Sequence, residues 1–221
     1  MSFKIVLLLL LPTISMAKTY DQFALKISGG ASINLAKGNA SDEIPSAGFG
    51  ATTEVGYKYQ NTEINLVSFL NYTHAKRLGI ISNGSQVHGD GRFRSVSFGP
   101  LLRYYSAYEV IRKWNFSFHI SPLIGIQTMR YRYPTVTGGN YQGNHKITTE
   151  GMGGALGLGL EKYSNDKNKH TFIMLSYKFI RSARVTEIGG TETAVQRIHR
   201  HSYNTAVEEH SIYLGFGGVI F

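Results

Sequence analysis

The 221-residue chain contains no cysteine. That excludes a disulfide framework, a thiolate nucleophile and Cys-ligated zinc or iron–sulfur sites. It also excludes a lipoprotein anchor, whose acylated cysteine would stand at a cleavage site. Beyond residue 17 no apolar stretch approaches the roughly 18–20 residues that a membrane-spanning helix needs, and no helical period of appreciable length appears. Proline is scarce, at 5 residues, and acids are few, with 14 Asp plus Glu against 23 Lys plus Arg and a formal charge of +9. A basic balance can serve nucleic acid, but these cations are scattered, without a basic helix or RNA-binding motif. Nucleic acid is therefore not an expected partner; anionic lipid headgroups or surface polysaccharide suit a secreted chain better.

The N-terminus reads as a secretory signal peptide over residues 1–17. Lys4 supplies a basic n-region, Ile5 to Leu11 an apolar h-region, and Ser15, Met16 and Ala17 a small-x-small cleavage site. The mature domain is then expected over 18–221. With no spanning helix, such a chain crosses a bilayer only as a closed barrel, because lipid offers no partner to an open strand edge.

Glycine and aromatics are what the chain does have: 25 Gly, 12 Phe and 14 Tyr. Period-2 alternation occurs eight times. In the first strand Phe23, Leu25, Ile27, Ala31, Ile33 and Leu35 alternate with Lys26, Ser28, Ser32 and Asn34. One face is greasy and the other polar, as a lipid-facing strand with a polar barrel interior requires. Further strands are expected near 46–59, 63–73, 93–105, 113–130, 147–162, 170–181 and 208–221. Pro122 falls within the fifth, where its missing N–H predicts a local bulge. The connections after the even strands are short or modest, such as Gln60–Asn61, 106–112 and 164–169. Those after the odd strands are long, near 36–45, 74–92, 131–146 and 182–207. Each long one holds a Gly or Asn turn signal: Gly38–Asn39, Asn83–Gly84, Gly138 to Asn140, and Gly189–Gly190. The strands should thus run past the membrane as protruding hairpins, with short turns at one rim and long loops at the other. Aromatics gather at both ends: Tyr57, Tyr59, Tyr104, Tyr105, Tyr108, Trp114 and Tyr163 at the short-turn side, Tyr72, Phe93, Tyr131 and Tyr133 opposite. They read as two interfacial belts.

The segment from Ser211 ends on Phe221 without a further polar side chain. A terminal Phe, with Val219 and Tyr213 on the same face, resembles the C-terminal signature of bacterial outer-membrane β-barrels. The whole mature chain resembles that superfamily, of the OmpA-transmembrane or opacity-porin kind. The resemblance implies an all-β fold, an eight-stranded antiparallel up-and-down transmembrane β-barrel with long extracellular hairpin loops, in the outer membrane of a diderm bacterium. It also implies insertion by the barrel-assembly machinery, reading Tyr213, Val219 and Phe221. Gly215, Gly217 and Gly218 depart from the signature, which carries larger apolar groups there. The strand count stays open if the fourth loop joins the barrel.

Lys26, Glu54, Lys58, Arg103, His119, Glu150 and Lys178 are the expected lumen charge network. In a barrel of about eight strands the interior is just wide enough for side chains, so opposite charges should pair as a rigidifying plug; a proton or ion path is the rival. The glycine run from Gly151 to Gly159 reads as lumen space for bulkier neighbours. His199, Arg200, His201, Glu208, Glu209 and His210 form the densest titratable cluster, but without a recognised metal spacing it reads as solvated loop side chains, and neither metal nor cofactor is expected. His201–Ser202 with Glu208 or Glu209 has the residue types of an acyl-transfer site; adjacent residues on a strand face opposite ways, so no catalytic residue is assigned. Basic residues in the long loops, Lys76, Arg77, Arg132, Arg197 and Arg200 among them, would face lipopolysaccharide phosphates. The expected function is therefore a monomeric, non-enzymatic barrel with a structural or surface-interaction role, contacting outer-membrane lipids and, through its loops, a host, prey or other cell-surface ligand. A lipid A- or phospholipid-modifying enzyme and a narrow pore are the alternatives.

Overall fold

The computed structural model describes residues 22–37, 46–80, 86–111, 113–133, 143–162, 170–190, 197–199 and 207–220. They form strands β1 (Gln22–Lys37), β2 (Ser46–Tyr59), β3 (Thr62–Ile80), β4 (Gln86–Ile111), β5 (Trp114–Tyr133), β6 (Gly143–Lys162), β7 (His170–Gly190), β8 (Arg197–His199) and β9 (Val207–Val219). Each of β1 to β7 pairs antiparallel with its successor in sequence, except that β7 is followed in the ring by β9. β9 pairs with β7 through Leu175↔Leu214 and with β1 through Ala31↔Leu214, which closes the cylinder. The three-residue β8 pairs only with Glu187–Gly189 of β7, beyond the ring. The barrel therefore has eight staves, and the fourth loop does not enlarge it.

Side chains alternate as the period-2 pattern requires. Phe23, Ile27, Phe49, Leu66, Phe98, Ile120, Leu158, Leu175 and Phe216 are exposed on the outer wall, while Ser28, Thr52, Asn65, Ser97, His119, Thr149 and Ser176 are buried inside. An exposed apolar wall around a polar interior inverts a soluble core and matches a cylinder set in acyl chains. Among the described residues no helix is long and apolar enough to cross a membrane.

The described parts of the long connections are strand. β3 and β4 stay paired from Thr62↔Tyr104 out to Ile80↔Gln86, and β5 with β6 out to Tyr133↔Gly143. Gly189–Gly190 lies within β7, paired with His145 and Asn144, rather than in a turn. The Gly and Asn turn signals at 38–39, 83–84 and 138–140 lie outside the described residues. On the other rim, Gln60–Asn61 is a two-residue turn with positive φ at Gln60 alone, the pattern of a type II′ hairpin. The stretch 106–112 is largely the end of β4, accommodated by register shifts after Tyr105 and Glu109.

Pro122 produces no bulge. Phe98↔Ile124 and Leu102↔Ile120 keep one register on either side of it, and pairing lapses only in between. Pro100, which also lacks an N–H, falls opposite Pro122 in that register. The Ser121 hydroxyl donates to the Pro100 carbonyl at 2.7 Å and so supplies a bond that the ladder cannot.

Closure depends on close backbone approach at the β1–β9 seam, where Gly30 faces Gly215. A Cβ on Gly30 would lie 1.9 Å from the Leu214 carbonyl oxygen across the seam, and neither backbone can yield without breaking the ladder. Gly30→Ala is expected to abolish the compact, SDS-resistant barrel, read as loss of the faster-migrating band on unheated gels.

Candidate functional site: lumen and outer rim

Strand parity brings a group of ions together near the short-turn rim. Lys26 on β1 reaches Glu63 at 2.7 Å and Glu161 at 2.9 Å. Arg103 on β4 reaches Glu54 at 2.8 Å and Glu63 at 3.2 Å, and Asn65 donates to Glu54 at 2.9 Å. The Tyr105 hydroxyl sits at the centre, accepting from Lys26 at 2.6 Å and within hydrogen-bond reach of both Glu161, at 2.6 Å, and Glu63, to one of which its single proton is donated. Lys58 lies 3.9 Å from the centroid of the Tyr105 ring. Three cations, Lys26, Lys58 and Arg103, thus share the group with three carboxylates, Glu54, Glu63 and Glu161. Their formal charges cancel, which is what lets buried ions persist.

A second polar group lies further along the lumen. Lys178 contacts Glu209 at 2.9 Å and donates to Ser95 at 2.9 Å. Ser95 and Gln127 donate to Glu209 at 2.9 and 2.7 Å, and Thr149 donates to Gln127 at 2.6 Å. Between the two groups Val67, Phe69, Leu101, Leu123, Ala155, Phe172, Met174, Ile180 and Tyr213 pack into one buried apolar cluster. Along β3 the inward residues read Glu63, Asn65, Val67, Phe69, Asn71: charged, polar, then apolar, then polar again. The barrel axis is thus crossed by a greasy septum between two neutral polar layers.

Of the expected network, Lys26, Glu54, Lys58 and Arg103 come together, and Lys178 stands apart beyond the septum. His119 is buried beside Ser176, with Nε2···Oγ 2.9 Å; Gly157 makes room for its ring, since a Cβ there would lie 2.6 Å from it. Glu150 is a correction: it is exposed on the outer wall, because it shares the even-numbered face of β6 with Met152 and Leu156. Glu63, Glu161, Glu209 and Tyr105 are the lumen residues that the network omitted. Parity alone could have found them, since each stands next to an outward residue, such as Ile64, Leu160 or Tyr104.

Tyr213 and Val219 share a face, as expected, but it is the inward one. Tyr213 is 3% exposed, and its hydroxyl bonds Ser28 at 2.8 Å. The lipid-facing frame of β9 is Ile212, Leu214, Phe216 and Ile220. This accounts for glycine at 215 and 217, where a Cβ would meet the Tyr213 ring or the Phe172 ring and β1 backbone. Phe221 lies outside the described residues. The titratable cluster near the C-terminus is split: Glu209 turns into the lumen, Glu208 and His210 turn outward with a 3.8 Å contact, and Arg200, His201 and Ser202 lie outside the described residues. Lys76, Arg77, Arg132 and Arg197 are in strands β3, β5 and β8 rather than loops. Phe93, Tyr105 and Tyr131 leave the expected aromatic belts, being buried in the lumen.

Set beside solved structures, the fold is that of the small eight-stranded outer-membrane barrels. A major outer membrane protein from Thermus thermophilus matches at TM-score 0.57 and 12% identity, over 89% of this chain and 99% of that one. Others are OprG from Pseudomonas aeruginosa (TM-score 0.45, 14% identity, 90% and 97% covered) and Ail of Yersinia pestis in complex with the heparin analogue sucrose octasulfate (0.43, 15%, 90% and 99%). No protein-family model and no curated protein sequence matches the chain. The likeness is one of fold, a closed eight-stranded antiparallel barrel of the outer-membrane type.

Glu63 is the carboxylate shared by Lys26, Arg103 and Tyr105. Removing it as Glu63→Ala leaves buried cations short of a partner, a change that costs about 3–5 kcal/mol in comparable buried pairs. Urea unfolding of the barrel in lipid vesicles is expected to show that loss.

Proposed function

We propose that this chain is a non-conducting, non-enzymatic outer-membrane barrel that acts at the cell surface through its outer hairpins. The observation that carries this reading is the septum of Val67, Phe69, Leu101, Leu123, Phe172 and Met174, backed by the neutral ion cluster beneath it. Ions crossing such an interior would lose hydration without gaining partners, which argues against a narrow pore. His119 and Ser176 stand within hydrogen-bond reach, as a base and nucleophile would. Both are at most 1% exposed and sit beside the septum, where no lipid substrate can arrive. The hairpins, in contrast, reach far out. β3 continues eight residues beyond the outward-facing Tyr72 to Ile80, about 26 Å at ~3.3 Å per residue.

On this reading residues 1–17 direct export, the barrel-assembly machinery inserts the chain, and the hairpin tips meet a ligand on another cell or on extracellular material. In planar bilayers the purified protein is expected to give no discrete conductance steps; steps would remove the sealed-lumen reading. Deleting residues 81–85 and 134–142 together is expected to leave insertion intact and to lower cell binding several-fold. Unchanged binding by the inserted variant would remove the surface-interaction role.

A further inference from the structure

The outer wall of β4, β5 and β6 carries cations in cross-strand register just beyond the lipid-facing belt. Arg92 is opposite Arg130, and Arg130 is opposite Lys146. Arg94 stands one outward position nearer the belt on β4, and Arg132 one position further out on β5. All five side chains are exposed. On β4 the last outward apolar residue is Val96, and Arg94 follows it. On β5 the last is Ile126, with Thr128 and then Arg130 beyond; on β6 it is Met152, with Glu150, Thr148 and then Lys146 beyond. At ~3.3 Å per residue along tilted strands, the cations begin roughly 5–15 Å above the apolar wall. That is the depth of the outer leaflet's polar headgroups.

Like charges directly opposite one another across a ladder destabilise it. Neighbouring strands stand ~4.8 Å apart, so Arg92, Arg130 and Lys146 fall within about 10 Å. Two carboxylates share this part of the wall. Asp90 is 3.7 Å from His74, and Glu150 stands in register with Arg184 of β7. Among the described residues, none of the five cations has an ion pair; Arg94 lies 5.4 Å from the centroid of the Tyr72 ring. On the adjoining wall of β7 and β9 the charges are paired: Glu208 is 3.9 Å from Arg181 and 3.8 Å from His210, and His210 shares a 2.6 Å hydrogen bond with Tyr177.

We propose that Arg92, Arg94, Arg130, Arg132 and Lys146 form a binding site for the phosphate groups of an outer-leaflet glycolipid, held against the wall with its acyl chains along Val96, Ile126 and Met152. Guanidinium groups engage phosphate by paired, charge-assisted hydrogen bonds, and the adjoining apolar belt accepts chains that a free anion lacks. Thr128 and Thr148, half-buried between the belt and the cation row, add hydroxyls at the sugar level. The site belongs to the barrel wall and does not depend on what the hairpin tips bind.

The test is titration of lipopolysaccharide into the full mature barrel held in phosphatidylcholine nanodiscs, read as the rise in thermal unfolding midpoint and as lipid retained in native mass spectrometry. The wild type should gain stability and retain the glycolipid. R92Q/R130Q/K146Q should bind about tenfold more weakly or worse, whereas R181Q/K162Q, with cations removed elsewhere, should behave as wild type. Lipopolysaccharide stripped of phosphate, or inorganic phosphate alone, should give little effect on the wild type. Equal binding by the triple variant, or by the dephosphorylated glycolipid, would overturn the proposal. Should the triple variant not fold, R130Q alone must still weaken retention measurably, and wild-type retention by R130Q would overturn the proposal as well.

Discussion

Everything in this molecule hangs on the pairing of β9 with β1. In a bilayer an unpaired strand edge has no water to satisfy it, so the ring must close completely. Glycine at 30 lets the two strands meet where a Cβ would press on the Leu214 backbone, and glycine at 215 leaves room for the Tyr213 ring. The same closure confines the interior, and confinement dictates what the lumen can hold. Ions are admitted only as balanced groups, Lys26, Lys58 and Arg103 with Glu54, Glu63 and Glu161, or Lys178 with Glu209. The rest of the cross-section is filled with Phe69, Leu101, Leu123, Met174 and Tyr213.

The lumen and the wall divide the protein's work. Inside, balanced ion groups and an apolar septum fill the cross-section. Outside, the apolar belt sets depth, and the hairpins of β3–β4 and β5–β6 continue beyond it as paired strands. Between belt and hairpins, β4, β5 and β6 bring arginine and lysine into cross-strand register, while the adjoining β7 and β9 pair their charges around Glu208.

Much of the fold was legible as alternation. A period of two assigns each residue to wall or lumen, which is why the greasy face of every stave and the inward placement of Lys26, Glu54, Arg103 and Lys178 could be read directly. The same rule, applied strictly, also assigns Glu150 to the wall and Glu63, Glu161, Glu209 and Tyr105 to the lumen. Pro122 misled for a different reason. A lost ladder bond can be absorbed by a neighbouring hydroxyl, here that of Ser121, without an inserted residue.

The linear chain settled the period of its strands, the closed barrel they must make, and the rim at which its turns are short, because these depend on neighbours one or two positions apart. Which inward residues meet was decided by the ring. Glu63 and Lys26 are 37 positions apart, Glu161 and Lys26 are 135, and only the stagger of eight paired strands sets them within hydrogen-bond distance. The cation row on β4, β5 and β6 has the same origin, since register between strands is a property of the closed sheet and no stretch of sequence contains it.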